Sequence, residues 1–143
     1  MDRRNFLKRS GALIGGLLFS GCLPTGEKRT TGTVSPLPAR SLGRTGCRIS
    51  VVGMGGLALS GMSEDEAHAL VAESVARGVT YFDVAPTYGN AEILLGPALK
   101  PFRDHVFLAC KTTRRDAAGV REELHQSLHR LQTDRLDLYQ MHG

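Results

Sequence analysis

Four polar residues stand at the ends of apolar runs or just beyond them. Asp83 closes "VTYFD", Tyr88 follows in "DVAPTYG", Lys111 sits in "HVFLACKT" and His142 ends "LDLYQMH". Singly, each has an ordinary structural use: Asp83 as a cap, Tyr88 as a surface aromatic, Lys111 as a solvated strand end, His142 as a satisfied hydrogen-bonding group. Together the types make one piece of chemistry. A phenol can give a proton to an oxygen that is turning negative. A neighbouring ammonium favours the phenolate left behind, a carboxylate keeps that ammonium charged and in place, and an imidazole can orient and polarise a carbonyl. The set is equipped for proton transfer at a carbonyl oxygen, provided the fold brings these distant residues together.

The elements that must do so read as alternating strands and helices. "RSLGRTGCRIS", with Gly43 and Gly46, predicts a small hairpin. "SVVGMG" (Ser50 to Gly55) predicts a first buried strand. Ser63 and Glu66 form a capping box for a helix with the stripe Ala67, Leu70, Val71 and Val75, stopped at Gly78. "VTYFDVA" is a second strand, "AEILLGPALK" a short helical stretch interrupted by Gly96 and Pro97, and "HVFLACKT" a third strand. A helix from about Asp116 carries Val120, Leu124, Leu128 and Leu131 on one stripe, and "LDLYQMH" is a fourth buried strand. Such alternation predicts an α/β fold with a parallel sheet under covering helices. In a (β/α)8 barrel the C-terminal strand ends ring one mouth, where Asp83, Tyr88, Lys111 and His142 would meet.

Other patterns compete less well. Gly53-x-Gly55-x-x-Ala58 passes as the dinucleotide fingerprint, with Asp83 ending the second strand where a ribose acid would stand. That fingerprint needs its glycines to open a helix, and the capping box starts the helix at Ser63, so a Rossmann-type dinucleotide binder is an alternative of lower standing. His125 and His129 share a helix face, but "HQSLH" lacks the glutamate of H-E-x-x-H; a solvated face is expected, and no metal site. Arg114-Arg115 reads as a solvated loop pair near the mouth, and Cys110 as a small buried hydrophobe.

The 143-residue chain has a formal charge of +4. Arg3, Arg4, Lys8 and Arg9 against Asp2 supply three of those charges, leaving the remainder nearly neutral. The basic footprint of a nucleic-acid binder is absent from the part expected to fold. The opening "MDRRNFLKRSGALIGGLLFSGC" joins a short basic region to an apolar stretch from Gly11 to Gly21. A bilayer-spanning helix needs roughly 20 apolar residues, so this stretch suits a signal sequence. "RRNFLK" resembles the twin-arginine export motif, and "FSGC" resembles a lipoprotein processing site in which Cys22 takes the lipid. Residues 1–21 are thus expected to be an export signal, 22–39 a flexible tether and 40–143 the folded part. The protein is expected in the periplasm or cell envelope, held at a membrane surface by its lipid. Three cysteines give no disulfide framework.

"FDVAPTYGNAE" resembles the Asp-x-Ala-x-x-Tyr-Gly motif of the aldo-keto reductase family, with its trailing small residue and Glu. "FLACKT" is similar to the family's lysine strand, "TDRLDLYQMHG" to its histidine strand, and "RSLGRTGCRISVVGMGG" to its opening hairpin and first strand. The resemblance runs from about residue 40 to 143. It implies the N-terminal half of a (β/α)8 TIM barrel with a short N-terminal hairpin. It implies Asp83, Tyr88, Lys111 and His142 as catalytic residues, Tyr88 and His142 against a small carbonyl substrate, and Gly55 and Asp83 against the cofactor. The implied activity is reduction of aldehyde or ketone carbonyls with NADPH (or NADH), Tyr88 being the acid in reduction and the base in oxidation. Family members draw most of their cofactor grip from later loops, so this chain is expected to be a truncated enzyme, inactive alone, with open strand edges. A non-catalytic, lipid-tethered binding module on a half-barrel is the other alternative.

Overall fold

The computed structural model describes residues 37–143. The expected export segment 1–21, Cys22 and the tether as far as residue 36 lie outside the described residues. The chain enters at Leu37, whose N–H donates to the Arg77 carbonyl (3.4 Å). Strands β1 (Ala39–Ser41) and β2 (Arg48–Ser50) pair antiparallel, Ala39 opposite Ser50. Gly43 and Gly46 turn the hairpin at φ of 52° and 77°, a region glycine enters without steric cost. The expected hairpin is present, opening at Ala39.

Four strands follow: β3 (Gly53–Gly55), β4 (Tyr81–Asp83), β5 (Phe107–Thr112) and β6 (Leu138–Met141). They form one parallel sheet in the order β3-β4-β5-β6. Each connection carries a helix: α1 (Glu64–Ala76), α2 (Ala91–Leu99) and α3 (Ala117–Arg130). The capping box opens α1 as expected, Ser63 N–H donating to Glu66 Oε2 (2.9 Å) while Ser63 Oγ accepts from Glu66 N–H (3.4 Å). Asp116 caps α3 by accepting from Gly119 N–H (2.9 Å).

Strand side chains alternate between two faces. On one face Phe82, Leu108 and Cys110 are fully buried with Val71, Leu95 and Leu99 of the helices, which form the core. On the other, Tyr81, Asp83, Phe107 and Lys111 are only half-buried, and the Tyr81 and Phe107 rings stack at 5.6 Å. Helices thus cover one face, and the second is the lumen side of a barrel wall. Two hydrogen bonds between Ser50 and Thr80 (2.8 and 2.9 Å) tie the hairpin to the start of β4, the end of the sheet remote from its C-terminal mouth.

Three expectations need correction. The first strand is neither as long nor as buried as "SVVGMG" suggests: Ser50 ends the hairpin, and Val51 and Val52 are 45% and 51% exposed. Among the described residues β3 is an edge that pairs only with β4, and none of them covers its outer side. The same holds for β6, which is half-buried rather than buried and leaves Met141 exposed. Gly96 and Pro97 do not interrupt α2, which runs continuously through both. An interior proline costs about 3 kcal/mol, but burial of Leu94, Leu95 and Leu99 offsets more than that at about 1.5–3 kcal/mol each. Gly96 is there for contact, since a Cβ on it would stand 2.6 Å from the Leu131 backbone at the end of α3.

Candidate active site

β4 ends with Asp83 on the lumen side, and β5 places Lys111 on that side one strand over. The Lys111 ammonium donates to Asp83 Oδ1 (2.5 Å), to the Val84 carbonyl (3.4 Å) and to the Tyr88 hydroxyl (3.4 Å). It also lies 5.1 Å from the centre of the Tyr88 ring. Burial works to lower the lysine pKa, but the hydrogen bond and charge of Asp83, then those of Tyr88, outweigh it and hold Lys111 above its ordinary value. The lysine is therefore a fixed cation, with its side chain only 13% exposed.

His142 follows β6 and continues its ladder, its backbone N–H donating to the Thr112 carbonyl (2.8 Å). Its ring meets the Tyr88 ring edge-on at 5.9 Å, and its Nε2 lies 3.3 Å from Thr87 Oγ1. The structure thus brings together all four residues singled out in the sequence, at the C-terminal ends of adjacent parallel strands. Gly55 lies opposite Asp83 in register, and the two line an open groove of about 360 Å3 with Met54 and Tyr81. A Cβ at Gly55 would meet nothing within 4 Å.

Other residues take part that sequence reasoning missed. Thr87 partners His142 across 55 positions, and only its place beside Tyr88 could have signalled it. Arg115 is exposed, as expected of the loop pair, and its guanidinium also donates to the His142 carbonyl (2.5 Å) and to the Thr113 and Arg114 carbonyls, fastening the tip of β6. Glu123 of α3 accepts from Thr112 Oγ1 (2.6 Å), Thr113 N–H (2.7 Å) and Thr113 Oγ1 (2.9 Å), pinning the end of β5 that carries Lys111. Cys110 faces the helices, buried, its thiol pushed up to about 12 first by burial and then by the Glu92 charge, so it is unreactive packing. His125 and His129 lie on the exposed side of α3. Gly53 and Gly55 lie within β3, followed by a 3-10 turn (Gly56–Leu59), and the α-helix opens only at Glu64. Among the described residues no α-helix N-terminus stands over them, contrary to what the dinucleotide fingerprint requires.

Parallel strand–helix units with polar side chains at one mouth define the class: one half of the wall of a (β/α)8 barrel. Residues 51–143 match the model of the aldo/keto reductase family, and the chain belongs to that family. L-galactose dehydrogenase of Arabidopsis thaliana is 34% identical over 124 residues, which span 76% of this chain and 39% of that protein. Among solved structures, an aldo-keto reductase of Bacillus halodurans superposes with a TM-score of 0.68 at 34% identity, covering 75% of this chain and 40% of that one. An aldo-keto reductase of Klebsiella pneumoniae in complex with NADPH gives 0.64 at 28%, covering 68% and 36%. The chain spans between 35% and 39% of the length of the curated relatives it matches. It is an aldo/keto reductase family chain of α/β architecture.

Proposed function

We propose that this chain supplies the catalytic wall of an enzyme that reduces aldehyde or ketone carbonyls with NADPH (or NADH). The observation that carries the reading is the Lys111 ammonium, held by Asp83 and touching the Tyr88 hydroxyl on the open face of the sheet. A bound reduced nicotinamide would supply hydride to the carbonyl carbon. Proton transfer and orientation of the carbonyl fall to side chains of this chain. Tyr88 gives its proton to the carbonyl oxygen, and Lys111 stabilises the phenolate that remains. Asp83 fixes the ammonium, and His142 orients the carbonyl. Gly55 and Asp83 are the residues on this wall placed to lie against the cofactor, in keeping with the free space over Gly55. In oxidation the same phenolate takes the proton back.

The leader supports a location. We propose that residues 1–21 direct export and that Cys22 carries a lipid, which holds the folded part at a membrane surface in the cell envelope.

The test of the catalytic reading uses a barrel completed with the complementary half of a relative. In it, Tyr88→Phe should lower kcat at least a hundredfold, the scale of a lost general acid, with cofactor affinity nearly unchanged. Full activity in Tyr88→Phe would reassign the proton donor.

A further inference from the structure

We propose that Glu92 is a positioning residue for the contact between Lys111 and Tyr88, acting from the helix side of the sheet. The inference rests on the proton-transfer reading of that contact and adds the group that sets its geometry.

Lys111 and Tyr88 reach each other from different elements. Lys111 is carried by β5, whereas Tyr88 stands in the turn that leads into α2. In that turn the Tyr88 N–H donates to the Ala85 carbonyl and the Tyr88 carbonyl accepts from the Ala91 N–H, both at 3.1 Å. The tyrosine therefore moves with the first turn of α2. Its hydroxyl lies 3.4 Å from the Lys111 ammonium, near the long limit of a hydrogen bond. A small shift of α2 against β5 would break the contact.

Glu92 ties that first turn to β5. It is the second residue of α2 and only 2% exposed. Its Oε1 accepts from the Cys110 thiol (3.5 Å) and its Oε2 from the Arg130 guanidinium (2.9 Å). Cys110 immediately precedes Lys111 on β5. Strand side chains alternate, so the thiol points to the helices while the ammonium points to the lumen. Glu92 thus grips β5 from behind, one residue from Lys111, and Arg130 at the end of α3 completes the junction.

Holding the helices together does not call for this carboxylate. α2 already meets α3 through Gly96 at Leu131, and it buries Leu94, Leu95 and Leu99. Desolvation consumes much of the attraction in a buried ion pair, and apolar side chains of similar volume often serve stability as well or better. The junction is polar beyond the pair: Ser127 of α3 is fully buried, and its hydroxyl has no hydrogen-bond partner among the described residues. Such burial costs stability. What the carboxylate supplies is direction, since its hydrogen bonds fix α2, β5 and α3 in one arrangement that apolar packing leaves looser.

The test uses the full chain with its lysines and aromatic residues isotope-labelled. The native protein should show a nuclear Overhauser cross-peak between the Lys111 Cε protons and the Tyr88 ring. Glu92→Met combined with Arg130→Met leaves the net charge unchanged and should keep Tm within a few degrees. In that chain the cross-peak should fall by half or more, while the peak between the stacked Tyr81 and Phe107 rings stays. Glu92→Gln is the second variant. Its amide has a single accepting oxygen and can keep only one of the two contacts, so the cross-peak should weaken there too. An undiminished Lys111–Tyr88 peak in whichever variant folds would overturn the proposal, because that is what a merely structural ion pair predicts. In the completed barrel the double substitution should lower kcat about tenfold or more with the cofactor KM unchanged, as misplacement of reacting groups does. A weakened cross-peak with native kcat would uphold Glu92 as the positioning residue and refute the catalytic reading of the contact, so the two failures are told apart.

Discussion

At the scale of single residues, the neighbours of His142 fix more of its chemistry than its presence at a strand end does. Its Nδ1 lies 3.0 Å from the Gly143 carbonyl, an atom that can only accept, so Nδ1 carries the proton in the neutral ring. Nε2 is then the acceptor, and the Thr87 hydroxyl, 3.3 Å away, donates to it. Thr87 is thus a positioning residue that favours this tautomer, and orienting a carbonyl oxygen, which can only accept, requires the other tautomer with the proton on Nε2. Thr87→Val should shift the His142 ring toward a tautomer mixture, while Thr87→Ser should keep the native form. Ring-nitrogen chemical shifts measured on the full chain read this directly, without any activity. Identical tautomer populations in native protein and Thr87→Val would remove Thr87 from the site. Lys111 differs in that its charge is secured by partners from two elements, Asp83 and the loop bearing Tyr88. With its pKa raised, the charged pair is fully formed at neutral pH, and its contribution to stability is lost only as pH rises beyond the ordinary lysine range.

At the scale of elements, the contact between α2 and α3 decides how the helices sit on the sheet. Gly96 brings α2 against the carbonyl ends of α3, where a methyl group would meet Arg130 O at 2.8 Å and Leu131 C and O at 2.6 Å. Helix propensity alone favours alanine over glycine by about 1 kcal/mol. Here overpacking against backbone, at about 1–3 kcal/mol, wins. Gly96→Ala should lower Tm in a thermal melt; a rise would show that the helices separate at no cost. The same element shows what the sequence could and could not disclose. Ser63 with Glu66 marks the start of α1, because a capping box is made within four residues. Gly96-Pro97 misleads, because its meaning lies in Leu131, far along the chain. Val51 and Val52 mislead similarly, since apolar side chains become buried only where a neighbouring strand covers them. The ring of Asp83, Lys111 and His142 was legible because strand ends are local features and the parallel topology supplies the convergence. The contacts of Thr87 and Arg115 to His142 arise from that convergence itself, so no local pattern announces them.

At the scale of the molecule, the side chains proposed as catalytic and the open edges belong to the same sheet, and this sets what the 143 residues can do alone. Asp83, Lys111 and Tyr88 are held by contacts wholly within the described strands and loops, so the group proposed to donate the proton is assembled here. Hydride transfer asks for more: the donor carbon must be held within about 3–3.5 Å of the carbonyl carbon, and misplacement by 1 Å can cost a hundredfold. On this wall the cofactor would meet only the open groove beside Gly55 and Asp83, and loops after the seventh and eighth strands of such barrels commonly hold phosphate. Among the described residues the outer edges of β3 and β6 have no partner strand, and Val51, Val52 and Met141 are exposed near them. Such edges favour pairing with further strands. The 143-residue chain by itself should therefore show no NADPH-dependent reduction of a reactive aldehyde above background, and no saturable change in cofactor fluorescence. Joining it to four further strand–helix units from a relative should cover both edges and restore cofactor binding and turnover together. Binding without turnover would mean that Asp83, Tyr88, Lys111 and His142 are not the reacting set. Turnover by the bare chain would mean that the groove beside Gly55 holds the cofactor unaided.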